Sequence, residues 1–93
     1  MKFLTHFTVR PGCWPQVAER FLNGSGQPPA GVTLLGRWHN ADHSGGFSLV
    51  ETNDAAAAYA FAAEWSDVLE QRTNLVVEDA DAGAGLSKRY AAK

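Results

Sequence analysis

Arg37 and His39 lie two residues apart, and both side chains are of types that can do chemistry. The period-two pattern of residues 32–39 predicts a strand that presents this pair on one face. A guanidinium beside an imidazole could hold an anionic or carbonyl-bearing ligand. For Arg37 we favour a structural role, and an ion pair with Glu51 on the neighbouring strand is one form of it. A turn symmetric about residues 42–43 instead sets Arg37 opposite 47–49, with Glu51 nearer Thr33 or Leu34.

His39, Asp42 and His43 form an H-x-x-D-H sequence, and all three side chains are of metal-ligand types. The segment falls on a predicted turn, and only His6 and Glu51 are obvious as further ligands. We therefore predict no metal site and no cofactor, and we interpret Asp42 and His43 as solvated turn residues. His6 stays a candidate site residue, although a role in the core or in an interface is the simpler interpretation.

Large aromatic side chains could wall an apolar pocket between the helices and the sheet. The candidate lining residues are Trp38, Phe61 and Trp65, with Arg37, His39 and Glu51 as polar groups. The chain is rich in alanine and has no isoleucine, so the aromatic side chains are also needed as core volume. We favour the core role for them, and the sequence identifies no catalytic residue.

Six elements must position these side chains. Alternation of apolar residues predicts strands over 2–9, 32–39, 46–52 and 72–78, and helical spacing predicts helices over 13–23 and 55–69. The order β-α-β-β-α-β predicts an α+β, ferredoxin-like fold with a four-stranded antiparallel sheet. We expect residues 1–78 to form one domain, with residues 79–93 as its C-terminal tail and a short helix around 86–90.

The predicted strands carry apolar side chains on both faces. Both helices of a ferredoxin-like fold cover one face, so the other face should be mostly polar if it meets water. Apolar residues nevertheless occupy the minor face of each strand: Leu4, Leu35, Val50 and Val76. A second copy, packed sheet to sheet about a two-fold axis, would cover them, and we expect this homodimer. The alternative is a monomer whose own tail covers the face.

Several segments resemble the bacterial family called domain of unknown function 3303. They are residues 1–4, the Pro11-Gly12 turn, and residues 32–39, 46–52 and 64–66. The resemblance covers roughly residues 1–78 and implies membership of the dimeric α/β barrel superfamily. Relatives there include cofactor-independent monooxygenases, haem-degrading enzymes and stress-responsive proteins. The family has no established activity, so the resemblance implies a fold and not a reaction.

The composition limits the kinds of partner that we expect for this chain. The 93 residues carry a net charge of −2, and the basic residues are scattered, which argues against nucleic acid binding. No apolar run approaches the roughly 20 residues that cross a bilayer, and the single Cys13 suits a reducing cytoplasm. We therefore expect a cytoplasmic homodimer with a small-molecule pocket, with cofactor-independent monooxygenase-like chemistry as one form of it. The alternative is a non-catalytic binding or regulatory dimer.

Overall fold

The described part of the chain forms four strands and three α-helices. The computed structural model describes residues 1–91, so the last two residues of the predicted tail lie outside the described residues. The elements are β1 (Lys2–Val9), α1 (Trp14–Leu22), β2 (Thr33–His39), β3 (Gly45–Glu51), α2 (Ala55–Ala63), β4 (Leu69–Val76) and α3 (Asp79–Leu86), followed by a π-helical turn over Ser87–Ala91.

The strands form one sheet in the order β2-β3-β1-β4, and every neighbouring pair is antiparallel. This order confirms the predicted α+β, ferredoxin-like arrangement. We call the sheet face that carries Phe3, Thr5 and Phe7 the cavity face, because α1 and α2 lie over it. The opposite face carries Leu4 and His6, and we call it the open face.

The boundary between α2 and β4 differs from the prediction. The apolar spacing predicted a helix as far as Leu69, but α2 ends at Ala63 and β4 begins at Leu69. The Ser66 hydroxyl donates to the Ala63 carbonyl at 2.9 Å, a local bond that competes with the helical pattern. Leu69 instead pairs with Val9 across the sheet. Helical spacing alone did not reveal this turn.

A β-bulge at Leu35 changes which face of the sheet the neighbouring residues of β2 lie on. Leu34 pairs with Val50 and Gly36 pairs with Leu49, so Leu35 has no partner in the ladder. The strict alternation that placed Leu34 on the same face as Trp38 was therefore wrong. The bulge puts Leu34 on the cavity face together with Arg37.

The hydrophobic core is thin. Only four apolar residues among those described are buried: Val32, Val50, Val68 and Leu69. Neither α1 nor α2 buries a residue fully, and the aromatic side chains beneath them stay partly exposed. The space between helices and sheet is therefore only partly filled by side chains.

The C-terminal segment projects away from the sheet. Residues 79–90 are exposed throughout, and α3 packs mainly against the π-helical turn that follows it. The radius of gyration is 16.0 Å, compared with about 12 Å for a compact domain of this length. Residues 79–90 therefore do not cover the open face, as the alternative of a monomer covered by its own tail would require.

Candidate functional site

A cavity of about 470 Å³ lies between the helices and the cavity face. Its size falls within the range of small-molecule sites, roughly 300–1,000 Å³. The lining is mostly apolar, and its larger apolar side chains are Phe3, Phe7, Trp14, Val17, Phe21, Leu22, Val50, Phe61, Trp65 and Leu69. The cavity can therefore hold an apolar molecule that is larger than a few water molecules.

A row of polar side chains crosses the floor of the cavity. Strand register aligns Arg37, Ser48, Thr5 and Thr73 from β2 to β4. The hydroxyls of Thr5 and Thr73 are 2.8 Å apart and hydrogen-bond to each other. Sequence reasoning missed this row, because each strand contributes one polar group and only the register brings them into line.

Arg37 stands at one end of this row. Its Nη2 donates to the Gly26 carbonyl, and its Cζ lies 5.7 Å from the centre of the Phe21 ring. The side chain is half-buried, and burial lowers the pKa of the guanidinium below its usual range. Ser48, and not Glu51, is its cross-strand neighbour, so the predicted Arg37–Glu51 ion pair is wrong: the two side chains lie on opposite faces.

Two imidazoles stand near the same end of the cavity. The His39 ring meets Phe21 edge-on at 5.1 Å and Phe7 at 6.1 Å, centroid to centroid. The His43 ring lies 5.1 Å from that of Trp14, and its backbone has a φ of 69°. His43 is an exposed residue of the turn, as predicted, and with its ring against Trp14 of α1 it also lines the cavity.

The β2–β3 turn that carries His43 is held by its own polar groups. The Asp42 carboxylate accepts hydrogen bonds from the backbone N–H and the hydroxyl of Ser44, at 3.0 and 2.6 Å. These bonds lower the pKa of Asp42. Within residues 1–91, no three His, Cys, Asp or Glu side chains gather into a metal-sized cluster.

The seven predicted site residues divide between the two faces of the sheet. Four of them line the cavity: Arg37, His39, Phe61 and Trp65. The other three do not line it, and register places them on the open face: His6, Trp38 and Glu51. The structure thus brings the predicted polar pair together with two of the three predicted aromatic walls.

On the open face, Trp38, Phe47 and His6 are cross-strand neighbours on three adjacent strands. The rings of His6 and Phe47 stack at 4.7 Å with an interplanar angle of 14°, whereas the Trp38 ring lies over Gly36 of its own strand. Trp38 is 56% exposed and Phe47 is 39% exposed. These three residues present exposed aromatic surface on the side of the sheet opposite α1 and α2.

Trp65 lies in the turn that follows α2, where its backbone N–H donates to the Ala62 carbonyl, and its ring is contacted from α1. The Arg20 guanidinium lies 5.7 Å from the Trp65 ring and forms a bidentate ion pair with Asp67. The pair raises the pKa of Arg20 and lowers that of Asp67. It links α1 to the turn after α2 and so closes one side of the cavity.

Comparison with known proteins gives the family. The family model described as domain of unknown function (DUF3303) matches residues 1–90. The chain belongs to the DUF3303 family. The match includes α3, so the DUF3303 domain extends beyond the residues 1–78 on which the resemblance was recognised. No curated protein and no solved structure matches this DUF3303 protein. None of the helices within residues 1–91 has the length and hydropathy of a membrane-spanning segment.

Proposed function

We propose that the protein is a homodimer that binds a small, mostly apolar molecule in the cavity between its helices and sheet. The cavity itself carries this proposal, because well-packed protein interiors leave few voids larger than a water molecule. Here, aromatic side chains surround about 470 Å³ of space, with hydrogen-bonding groups set in one row on its floor. Apolar walls with a few placed polar groups are typical of ligand sites.

The open face supports the dimer. Trp38 and Phe47 are exposed next to Leu49 and Leu4, which pair with each other across β3 and β1. Charged groups of both signs flank this apolar centre: Lys2, Glu51, Glu70 and Arg72. A two-fold axis can place unlike charges opposite each other, so a second copy is a suitable cover.

The two alternatives, non-catalytic binding and catalysis, would both use this cavity. Cofactor-independent oxygenation rests on the resemblance to the superfamily and stays a prediction. Binding has the stronger support, because none of the lining residues among the described positions is an aspartate or glutamate that could act as a general base. The two imidazoles are the basic groups that face the space, and neither has a carboxylate partner there to orient it.

Binding is tested by titrating the protein with 2-naphthamide, a neutral aromatic probe, in a calorimeter. Ala62 lines the cavity, whereas Ala60 is exposed on the same helix. We expect Ala62→Phe to fill the cavity and to weaken binding at least tenfold, and Ala60→Phe to leave it unchanged. Absence of binding to the wild-type protein, or equal binding by both variants, would contradict the cavity proposal.

The dimer is tested by sedimentation velocity. We expect a species of twice the chain mass of 10.0 kDa for the wild-type protein. Trp38→Lys places a charge on the open face in place of an exposed aromatic side chain and should yield monomers, whereas Tyr59→Lys alters an 80% exposed aromatic residue on α2 and should leave the dimer intact. A monomeric wild-type protein at micromolar concentration would contradict the proposal.

A further inference from the structure

The ionisable side chains that line the cavity are all basic. Arg37, His39 and His43 line one end of it, and no acidic side chain among residues 1–91 lines any part. The described residues also give Arg37 no ion pair. A half-buried arginine normally faces a carboxylate, because moving a charge out of water without a counter-charge is costly.

The guanidinium of Arg37 is only partly satisfied. It has five N–H donors, and the Gly26 carbonyl accepts a hydrogen bond from one nitrogen. The Phe21 ring lies close to the guanidinium and supplies no conventional acceptor. Two or more N–H groups are therefore available to an acceptor in the cavity, and a planar carboxylate matches that fork of donors.

The imidazoles of His39 and His43 add hydrogen-bonding groups beside Arg37 at the same end of the cavity. His39 projects from the same face of β2 as Arg37, and His43 closes over from the β2–β3 turn against Trp14. Either ring can donate an N–H hydrogen bond. The rings of Phe7 and Phe21 border His39, so a group bound here is partly shielded from water.

The rest of the lining is mostly apolar. β1 contributes Phe3, β4 contributes Leu69, and Phe61 and Trp65 come from α2 and the turn after it. The hydroxyls of Thr5 and Thr73 on the sheet hydrogen-bond to each other. The cavity therefore combines the basic side chains of β2 and its turn with apolar walls elsewhere, and a ligand that matches both is itself amphipathic.

We infer that the ligand is a monocarboxylic acid with an aromatic or aliphatic body, and that Arg37 binds its carboxylate. The inference rests on the proposed binding function and names the class of molecule that the cavity takes. One arginine with two imidazoles suits a single negative charge better than a phosphate, for which no lysine lines the cavity among the described residues.

The test compares 2-naphthoate with 2-naphthamide, which have the same body and differ in charge. We expect the wild-type protein to prefer the acid at least tenfold in calorimetric affinity. Arg37→Met should abolish the preference, while Arg89→Met, which removes the same charge from the exposed C-terminal segment, should keep it. Circular dichroism checks that each variant is folded, and if Arg37→Met does not fold, Arg37→Lys is used and should reduce the preference.

The outcomes separate the two proposals. Equal affinity of the wild-type protein for acid and amide would overturn the carboxylate assignment and leave the cavity proposal standing. Binding of neither probe would overturn both. A preference for the acid that survives Arg37→Met, or that Arg37→Lys leaves undiminished where that variant is used, would overturn the role of Arg37.

Discussion

The carbonyl of Gly26 accepts a hydrogen bond from Arg37, and a Cβ built on Gly26 would lie 2.8 Å from Nη1 of the same guanidinium. The loop before β2 therefore approaches Arg37 so closely that a side chain on Gly26 has no room. This contact fixes the guanidinium at the end of the cavity and next to the ring of Phe21.

Gly26→Ala should displace the guanidinium without removing its charge. We expect the affinity for 2-naphthoate to fall about tenfold, in keeping with the loss of one charge-assisted hydrogen bond, and the affinity for 2-naphthamide to stay the same. Ser25→Ala, at the exposed neighbouring position, is the control. An equal loss of affinity for both probes would instead indicate a general distortion of the cavity.

Gly46 is a position where the backbone of the sheet leaves no room for a side chain. A Cβ there would clash with the Trp38 carbonyl and with the Phe7 ring. Because a backbone atom cannot move aside cheaply, we expect Gly46→Ala to lower the free energy of unfolding by about 2–3 kcal/mol in urea titrations. Gly83→Ala, with no atom near its Cβ, should not destabilise the protein. Equal midpoints for the two variants would contradict the register of β2 and β3.

The Arg20–Asp67 pair should make stability depend on pH. Arg20 lowers the pKa of Asp67 in the folded state. The stabilisation is therefore present above the unfolded pKa of about 3.9 and is lost as the pH falls through the lower folded value. Asp67→Asn should reduce the urea midpoint at pH 6 and have no effect near pH 2. In an Arg20→Gln background the same substitution should do little at either pH, and a full effect there would contradict the pairing.

The C-terminal segment makes little contact with the sheet within one chain. A protein that ends at Glu78 keeps the Lys2–Glu78 ion pair, whose atoms are 2.5 Å apart, and residues 79–90, which it loses, are exposed. We expect its urea midpoint to equal that of the full chain. A marked loss of stability would show that residues 79–93 pack against the body or against a second copy.

Local sequence patterns predict much of the fold, but they do not always predict which face of the sheet a residue lies on. Alternation predicted β1 over residues 2–9, and the structure confirms both ends of that strand. The bulge at Leu35 was missed, although Gly36 inside the predicted strand is a signal for it, because glycine within a strand often marks a bulge. The turn after Ala63 was missed because apolar residues continue at helical spacing there, whereas the Ser66 hydroxyl bonds locally to the Ala63 carbonyl.

The candidate site was predicted in part for the same reason. Arg37 and His39 share a face in any extended strand, so their pairing was visible in the sequence. A turn symmetric about residues 42–43 also set Arg37 opposite 47–49, and its register with Ser48 confirms this. The contact with Gly26 was not predicted, because Gly26 comes from a loop. The polar row through Thr5 and Thr73 joins residues 68 positions apart, which no local pattern can align.

Whether a small apolar molecule enters the cavity is tested most directly by amide chemical shifts. A uniformly 15N-labelled protein is titrated with 2-naphthamide, and the shifts are compared between the two faces of the sheet. We expect the amides of Thr5, Ser48 and Thr73 and those around Phe61 to move in a saturable way while those of α3 stay fixed. Shifts confined to the open face around Trp38, or no saturable shift at all, would contradict the binding site.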